Sequence, residues 1–143
     1  MTAIYKSDTK YNGEENIVVA LDVGTTHSAC SFSYLYPGDY PDVRSVIKWP
    51  GQADASGDSK IPTFVAYQGR QAKFFGAEAR EVIDDPQYIV AKWFKLHLHP
   101  DSMKIADAPP AYGSNIVTPA KIEVPPLPEG VTLLEIYASF IGY

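Results

Sequence analysis

Residues 16–35 read NIVVALDVGTTHSACSFSYL, and the order of residue types here decides the fold. An apolar run from Ile17 to Leu21 leads into Asp22. Gly24, Thr25 and Thr26 follow, and then a second apolar run begins. Side chains alternate faces along a strand, so Val18, Ala20 and Asp22 share one face and Val19, Leu21 and Val23 the other. Both faces are apolar as far as Asp22, which predicts a central, buried strand over 17–23. Residues 28–35 form a second strand. The link between them is short, so the pair must be antiparallel. A carboxylate thus stands at a strand end with a donor-rich turn behind it.

Working outward, residues 1–15 are polar and are expected to form a flexible arm, with the folded unit over 16–143. The cluster Tyr36-Pro37-Gly38-Asp39-Tyr40-Pro41 is a turn. A third strand is expected over 43–49, a surface loop over 50–60 and a short strand over 63–67 after Pro62. Ala77, Glu78 and Ala79 favour a helix over 76–83. Asp84-Asp85-Pro86 has the order of a helix start, a capping aspartate and then proline. The helix expected from there to about Leu98 would align Ile89, Trp93 and Leu96. Prolines are dense between Asp107 and Gly130, where only a short strand near 121–124 is expected. A last helix begins near Thr132, with Leu133, Ile136, Tyr137 and Phe140 at helical spacing.

Composition narrows the classes. At 143 residues and 45% hydrophobic content, one domain or part of a larger one can build a core. A formal net charge of −5, with no run of basic residues, argues against a nucleic-acid partner. It leaves room for a nucleotide, because bound magnesium offsets phosphate charge locally. The single cysteine, Cys30, has no internal partner, which fits a reducing compartment. No apolar segment is long enough to span a bilayer, and residues 1–16 lack a signal-peptide core. The expected setting is the cytoplasm, with the nucleus as the alternative.

The turn itself carries the chemistry. A buried strand ending in Asp is costly unless the carboxylate is paired or holds a metal. Gly24 permits positive φ and lets a ligand approach the backbone closely. Thr25 and Thr26 offer hydroxyls, and consecutive amides in a tight turn form an anion-binding concavity. The set suits hydrated Mg²⁺ at Asp22 and phosphate oxygens at the turn. It is neither a Walker A loop nor a dinucleotide fingerprint, since the required lysine and spaced glycines are absent. The plainer alternative is a hairpin whose Asp and Thr side chains cap backbone groups.

Ala20-Leu21-Asp22-Val23-Gly24-Thr25-Thr26-His27-Ser28 resembles the first phosphate motif of the seventy-kilodalton heat-shock chaperones, members of the actin and sugar-kinase superfamily of ATPases. Later segments match in order. Residues 60–67, KIPTFVAY, resemble the family's proline and short strand; Phe75-Gly76-Ala77-Glu78-Ala79 resembles its next helix start. Asp85-Pro86 and Val90-Ala91-Lys92 resemble the helix with the catalytic lysine. Trp93-Phe94-Lys95-Leu96 and Pro125-Pro126-Leu127-Pro128 look more like divergent, fungal-type members.

The resemblance covers about residues 16–143. It implies an α/β, ribonuclease H-like (actin-like ATPase) fold: a mixed sheet with flanking helices, here an incomplete first lobe. It implies ATP or ADP with Mg²⁺ as ligands. Asp22 would position magnesium through water, and Thr25 and Thr26 would contact the β- and γ-phosphates, on the turn shaped by Gly24. Lys92 or Lys95 would orient the attacking water; the two are expected three apart on one helix, so spacing does not choose between them. His27 stands where the main chaperones carry tyrosine, which alters the contact expected beside the nucleotide. The family's second phosphate loop and adenosine motif are not among these residues, so weak binding, negligible turnover and an open sheet edge for a protein partner are expected.

Two other readings compete: a non-catalytic interaction module that keeps the fold, and a fragment of a superfamily sugar kinase. Lesser signals point nowhere specific. His97, His99 and Asp101 alternate, but residues two apart on a helix do not face each other. Cys30 reads as a small apolar strand residue. Residues 54–58 lack the ligand pattern of a calcium loop. Tyr34, Tyr36 and Tyr40 read as strand-edge packing, and the proline-dense segment as a rigid linker.

Overall fold

A computed structural model describes residues 3–52, 58–100 and 124–143. Among these residues the strands are β1 (Ala3–Lys6), β2 (Asn16–Val23), β3 (His27–Leu35), β4 (Asp42–Ser45), β5 (Lys60–Pro62), β6 (Phe64–Gln68), β7 (Gln71–Phe75) and β8 (Ile89–Lys92). The α-helices are α1 (Gly76–Glu81) and α2 (Leu133–Ile141), and a 3₁₀ helix spans Phe94–Leu98. The architecture is mixed α/β, with antiparallel sheets and few helices.

One sheet runs β1-β4-β3-β2, with β5 also paired to β3. The other runs β7-β6-β8. The hairpin β2–β3 forms as the sequence predicts, in the register Asn16↔Leu35 to Val23↔Ser28. Its position does not. β2 is an edge strand, exposed along almost its whole length, rather than central and buried. An apolar run on both faces marks a strand able to be central, but burial also requires neighbours to cover it. The first fifteen residues are not all loose arm either: β1 pairs with β4, Tyr5 opposite Val43 and Lys6 opposite Asp42.

The core lies at the second sheet. Ile61, Val65, Tyr67, Ala91, Phe94, Val131, Ile136 and Phe140 pack together, with Trp49, Phe75, Leu127 and Tyr137 against them. Phe94 anchors the cluster edge-on to Tyr137, ring centres 5.1 Å apart, and to Phe140 at 6.1 Å. Such perpendicular contacts match the positive ring edge to the negative ring face.

Local chemistry explains each element. Gly69, at φ +59°, opens the turn that pairs Gln68 with Gln71, and so makes β7, a strand the pattern gave no hint of. Gly76 starts α1 at φ +54°, where a side chain is strained and an added Cβ would lie 3.1 Å from Ile61 Cδ1. Thr132 caps α2: its hydroxyl accepts from the Glu135 amide, while the Glu135 carboxylate accepts from the Thr132 amide at 2.7 Å. This reciprocal box fixes the start of the helix that buries Ile136 and Phe140.

The helix expected from Asp85 to Leu98 does not form. Asp85 accepts instead from the Gln87 amide at 2.9 Å and turns the chain on itself. Ile89 and Val90, branched at Cβ, then extend into β8, which pairs Val65 with Ala91. Trp93, the one non-glycine described residue with positive φ, at +56°, reverses the backbone before the 3₁₀ helix. Lys92 and Lys95 therefore belong to different elements, and Ile89, Trp93 and Leu96 form no helical stripe. The third strand stops at Ser45 rather than Trp49. The expected strand near 121–124 and most of the acidic loop at 54–58 lie outside the described residues.

Candidate functional site

The turn Gly24–Thr26 sits at the tip of the β2–β3 hairpin. Its glycine is needed for a reason other than the one expected. Gly24 does not have positive φ; a Cβ there would lie 2.3 Å from the His27 carbonyl oxygen. The chain folds back so tightly that only a hydrogen fits. The far limb of the turn is then pinned. The Thr63 amide donates to the Thr26 carbonyl at 2.9 Å, and the Ser28 and Thr63 hydroxyls share a buried hydrogen bond of 2.7 Å.

This anchoring leaves the near limb presenting donors. Among the described residues, the amides of Thr25 and Thr26 give no hydrogen bond to the protein. Adjacent free amides carry partial positive charge and suit an anion. Asp22 stands just before them, exposed. Its one ion-pair partner among the described residues is Lys60, with Nζ 3.4 Å from Oδ2 and both side chains more than half exposed. Such a pair contributes little, about 0–1 kcal/mol, so the carboxylate stays hydrated and accessible.

The structure separates the two candidate lysines. Lys95 reaches from the 3₁₀ helix and donates from Nζ to the Val23 carbonyl at 2.8 Å, half-buried. It joins Asp22 and the turn across 72 residues of sequence. Lys92 lies on β8 opposite Phe64, with its ammonium 5.3 Å above the ring centre of its neighbour Trp93. The left-handed backbone at Trp93 is what sends the two side chains to different places. His27 is exposed; it lines a cleft of about 320 Å³ with Gln52, Asp58, Lys60, Arg80 and Glu81, on the side of the turn that holds β5.

Two features had no signal in the sequence pattern. Lys60 and Thr63 support the turn only because β5 folds back onto β3, a pairing set by tertiary structure. A cavity of about 280 Å³ also opens beneath the hairpin, lined by Leu21, Val23, Cys30, Trp49 and the α2 residues Phe140 and Ile141, with Asp22 on its wall. Its lining is mostly apolar. Tyr143 also lines it and stacks on Phe75 at 4.7 Å; burial, aided by the Glu78 charge, pushes its hydroxyl up to about 12.

The histidines build no metal centre. His97 Nε2 lies 2.9 Å from the Pro125 carbonyl, Asp101 is outside the described residues, and no group of three His, Cys, Asp or Glu converges among those described. No helix among them is long and apolar enough to cross a membrane. Comparison of the chain with protein-family models, curated proteins and solved structures finds no match.

Proposed function

We propose that the β2–β3 hairpin is the phosphate-binding element of an actin-like ATPase lobe of the heat-shock chaperone type, on a ribonuclease H-like plan, with Mg-ATP or Mg-ADP as its ligand. One observation carries this reading. An exposed carboxylate, two unpaired consecutive amides and a lysine ammonium lie at one strand end, although Lys95 is 72 residues from Val23. Each fits a magnesium-bound polyphosphate: anionic oxygen for the metal's waters, and amide and ammonium donors for phosphate oxygens.

The roles follow from position. Asp22 holds the metal's water shell. Gly24 keeps the turn tight, and Thr25 and Thr26 donate to phosphate. Lys95 is held half-buried at the Val23 carbonyl, beside the turn, so it takes the charge-stabilising role ahead of Lys92. His27, beyond the turn, would contact the nucleotide rather than the metal. Bound magnesium would supply the charge neutralisation that phosphoryl transfer requires. With one phosphate element in these residues, weak binding is expected.

An NMR titration with Mg-ADP tests the proposal. Amide shifts should centre on residues 22–28 and Lys95, with Asp22→Asn removing their magnesium dependence and Lys95→Met weakening them. Shifts confined to another face, or unchanged by Asp22→Asn, would sink it. A non-catalytic interaction module is the second reading, favoured by the open edge of β2; under it nucleotide leaves these amides unmoved.

A further inference from the structure

The free edge of β2 has an order of its own. Val46 donates its amide to the Cys30 carbonyl at 2.9 Å, so Cys30 directs its backbone toward β4. Cys30 lies opposite Leu21, and polar groups alternate sides along a strand. The even residues of β2 therefore bond to β3, and Ile17, Val19, Leu21 and Val23 point their amides and carbonyls away from the sheet. Two of these outward groups are already occupied. Asn16 Oδ1 accepts from the Ile17 amide at 2.8 Å, and Lys95 donates to the Val23 carbonyl. The edge is closed at those two points and open between them.

The open part carries none of the usual protection. It has no proline, no lysine and no bulge, and the side chains of Ile17, Val18, Val19 and Leu21 are each at least half exposed. We propose that β2 pairs antiparallel with β2 of a second copy of this chain about a two-fold axis, Val19 opposite Leu21 and Ala20 opposite Ala20. Three features select this partner and register. First, it sets Ile17 opposite Val23, so the two occupied groups face each other and every free group meets a free one. A shift of two residues either way sets an occupied group against a free one. Second, charge fits: Asp22 lies opposite Val18 and Glu15 opposite Thr25. Parallel pairing of the same two edges would set each outward residue opposite an inward one, a one-residue offset that no two-fold axis relates. Third, Ile17, Val19, Leu21 and Val23 of both copies form one apolar ladder on a shared face. The contact is isologous and closes at two copies. It does not depend on the phosphate reading.

Sedimentation of the full chain from micromolar to near-millimolar concentration tests this pairing. A reversible monomer–dimer equilibrium is expected. Val19→Pro removes an outward amide without touching the bonds to β3, and should abolish the dimer while circular dichroism stays unchanged. Val19→Lys, which keeps the amide and adds a charge to the edge, should do the same if the proline variant misfolds. In a Cys30→Ser background, Ala20→Cys should cross-link to a covalent dimer under mild oxidation, because facing Cα atoms of such a pair are about 4.5 Å apart, within disulfide reach. Val18→Cys should not. A monomer throughout would leave the edge to some other strand and overturn the proposal. So would larger assemblies, or a dimer that survives both Val19 variants.

Discussion

The two sheets draw on similar residues and reach opposite ends. In the β7-β6-β8 sheet, Val65, Ala66 and Tyr67 are almost wholly buried under α1, α2 and the 3₁₀ helix. In the other, Ile17, Val18, Val19 and Leu21 stand half exposed at a bare edge. Apolar content does not separate them; coverage does. The helices that follow β7 and Pro128 pack on β6, whereas β2 is left exposed from Asn16 to Asp22 and reaches the core at Val23, its last residue. Stability is thus concentrated in one half of the molecule, and the turn at Gly24–Thr26 is carried by the other. That division suits a binding element, since regions with few buried contacts open and rearrange at low cost.

The division is most easily broken at Phe94. Its side chain is fully buried between Tyr137 and Phe140, and Phe94→Ala should cost about 3–5 kcal/mol, transfer and cavity terms together. Val19→Ala, at an exposed edge position, should stay within about 0.5 kcal/mol when measured at low concentration. Urea unfolding checks both. Comparable losses at the two sites would show that the edge strand is buried in solution, and the contrast would fail.

A smaller effect is expected where backbone and packing meet. Gly76→Ala forces a side chain into a left-handed conformation and against Ile61, and should cost about 1–2 kcal/mol from the backbone alone. Gly38, at φ +88°, has nothing within 4 Å of the same added atom. The difference between the two alanine variants therefore measures how rigidly Ile61 is held in the core. Equal losses would mean that Ile61 yields freely.

How much of this was legible in the sequence follows the range of the signals. The hairpin, α1 and the start of α2 were, because each is encoded within a few residues: alternation into Gly24-Thr25-Thr26, the helix formers after Gly76, and Thr132 before an apolar stripe. The helix misread at Asp85 shows the limit. Asp85-Pro86 carries the residues of a cap, yet Ile89 and Val90 pair with β6, and tertiary pairing overrode the local pattern. An open sheet edge was expected, but not at β2, since a run apolar on both faces states what a strand can tolerate and not what lies beside it. At the site, Asp22 and the turn were legible as a motif. The choice of Lys95 over Lys92 was not, because it depends on a left-handed Trp93 that no propensity announces. Lys60 and Thr63 were invisible for want of any local relation to the turn.

The capping box sharpens the comparison from the buried side. Thr132→Ala should cost about 1 kcal/mol by freeing the Glu135 amide and loosening the helix that covers β6. Hydrogen bonds from the Thr132 amide and hydroxyl hold the Glu135 carboxyl below its ordinary range. A lowered folded-state value means that this contribution is present above the unfolded carboxyl's pKa and fades as pH falls through the folded one. Thr132→Ala should therefore flatten the acid limb of the stability profile. An unchanged acid limb would place that dependence on other carboxylates.

Tyr143 gives the smallest effect, none at neutral pH, but it probes the seam between the two halves. Its ring stacks on Phe75 at one side of the core and lines the cavity under the β2–β3 hairpin. Burial raises its hydroxyl from 10.0 to about 12, with the Glu78 charge adding to the shift. The folded protein thus keeps the proton longer than the unfolded chain. The stabilising contribution is complete below the unfolded value of 10.0 and is lost as pH rises through about 12. Tyr143→Phe keeps the stack and removes the titration, so its stability should fall less steeply over that alkaline window. Burial also raises Tyr67 and Tyr137, and the Glu15 carboxylate raises Tyr34, so absorbance titration should show one fewer late-titrating tyrosine in the variant than in the parent. If parent and variant show the same number of late-titrating tyrosines, the seam is open to water, and the hairpin moves independently of the core that carries it.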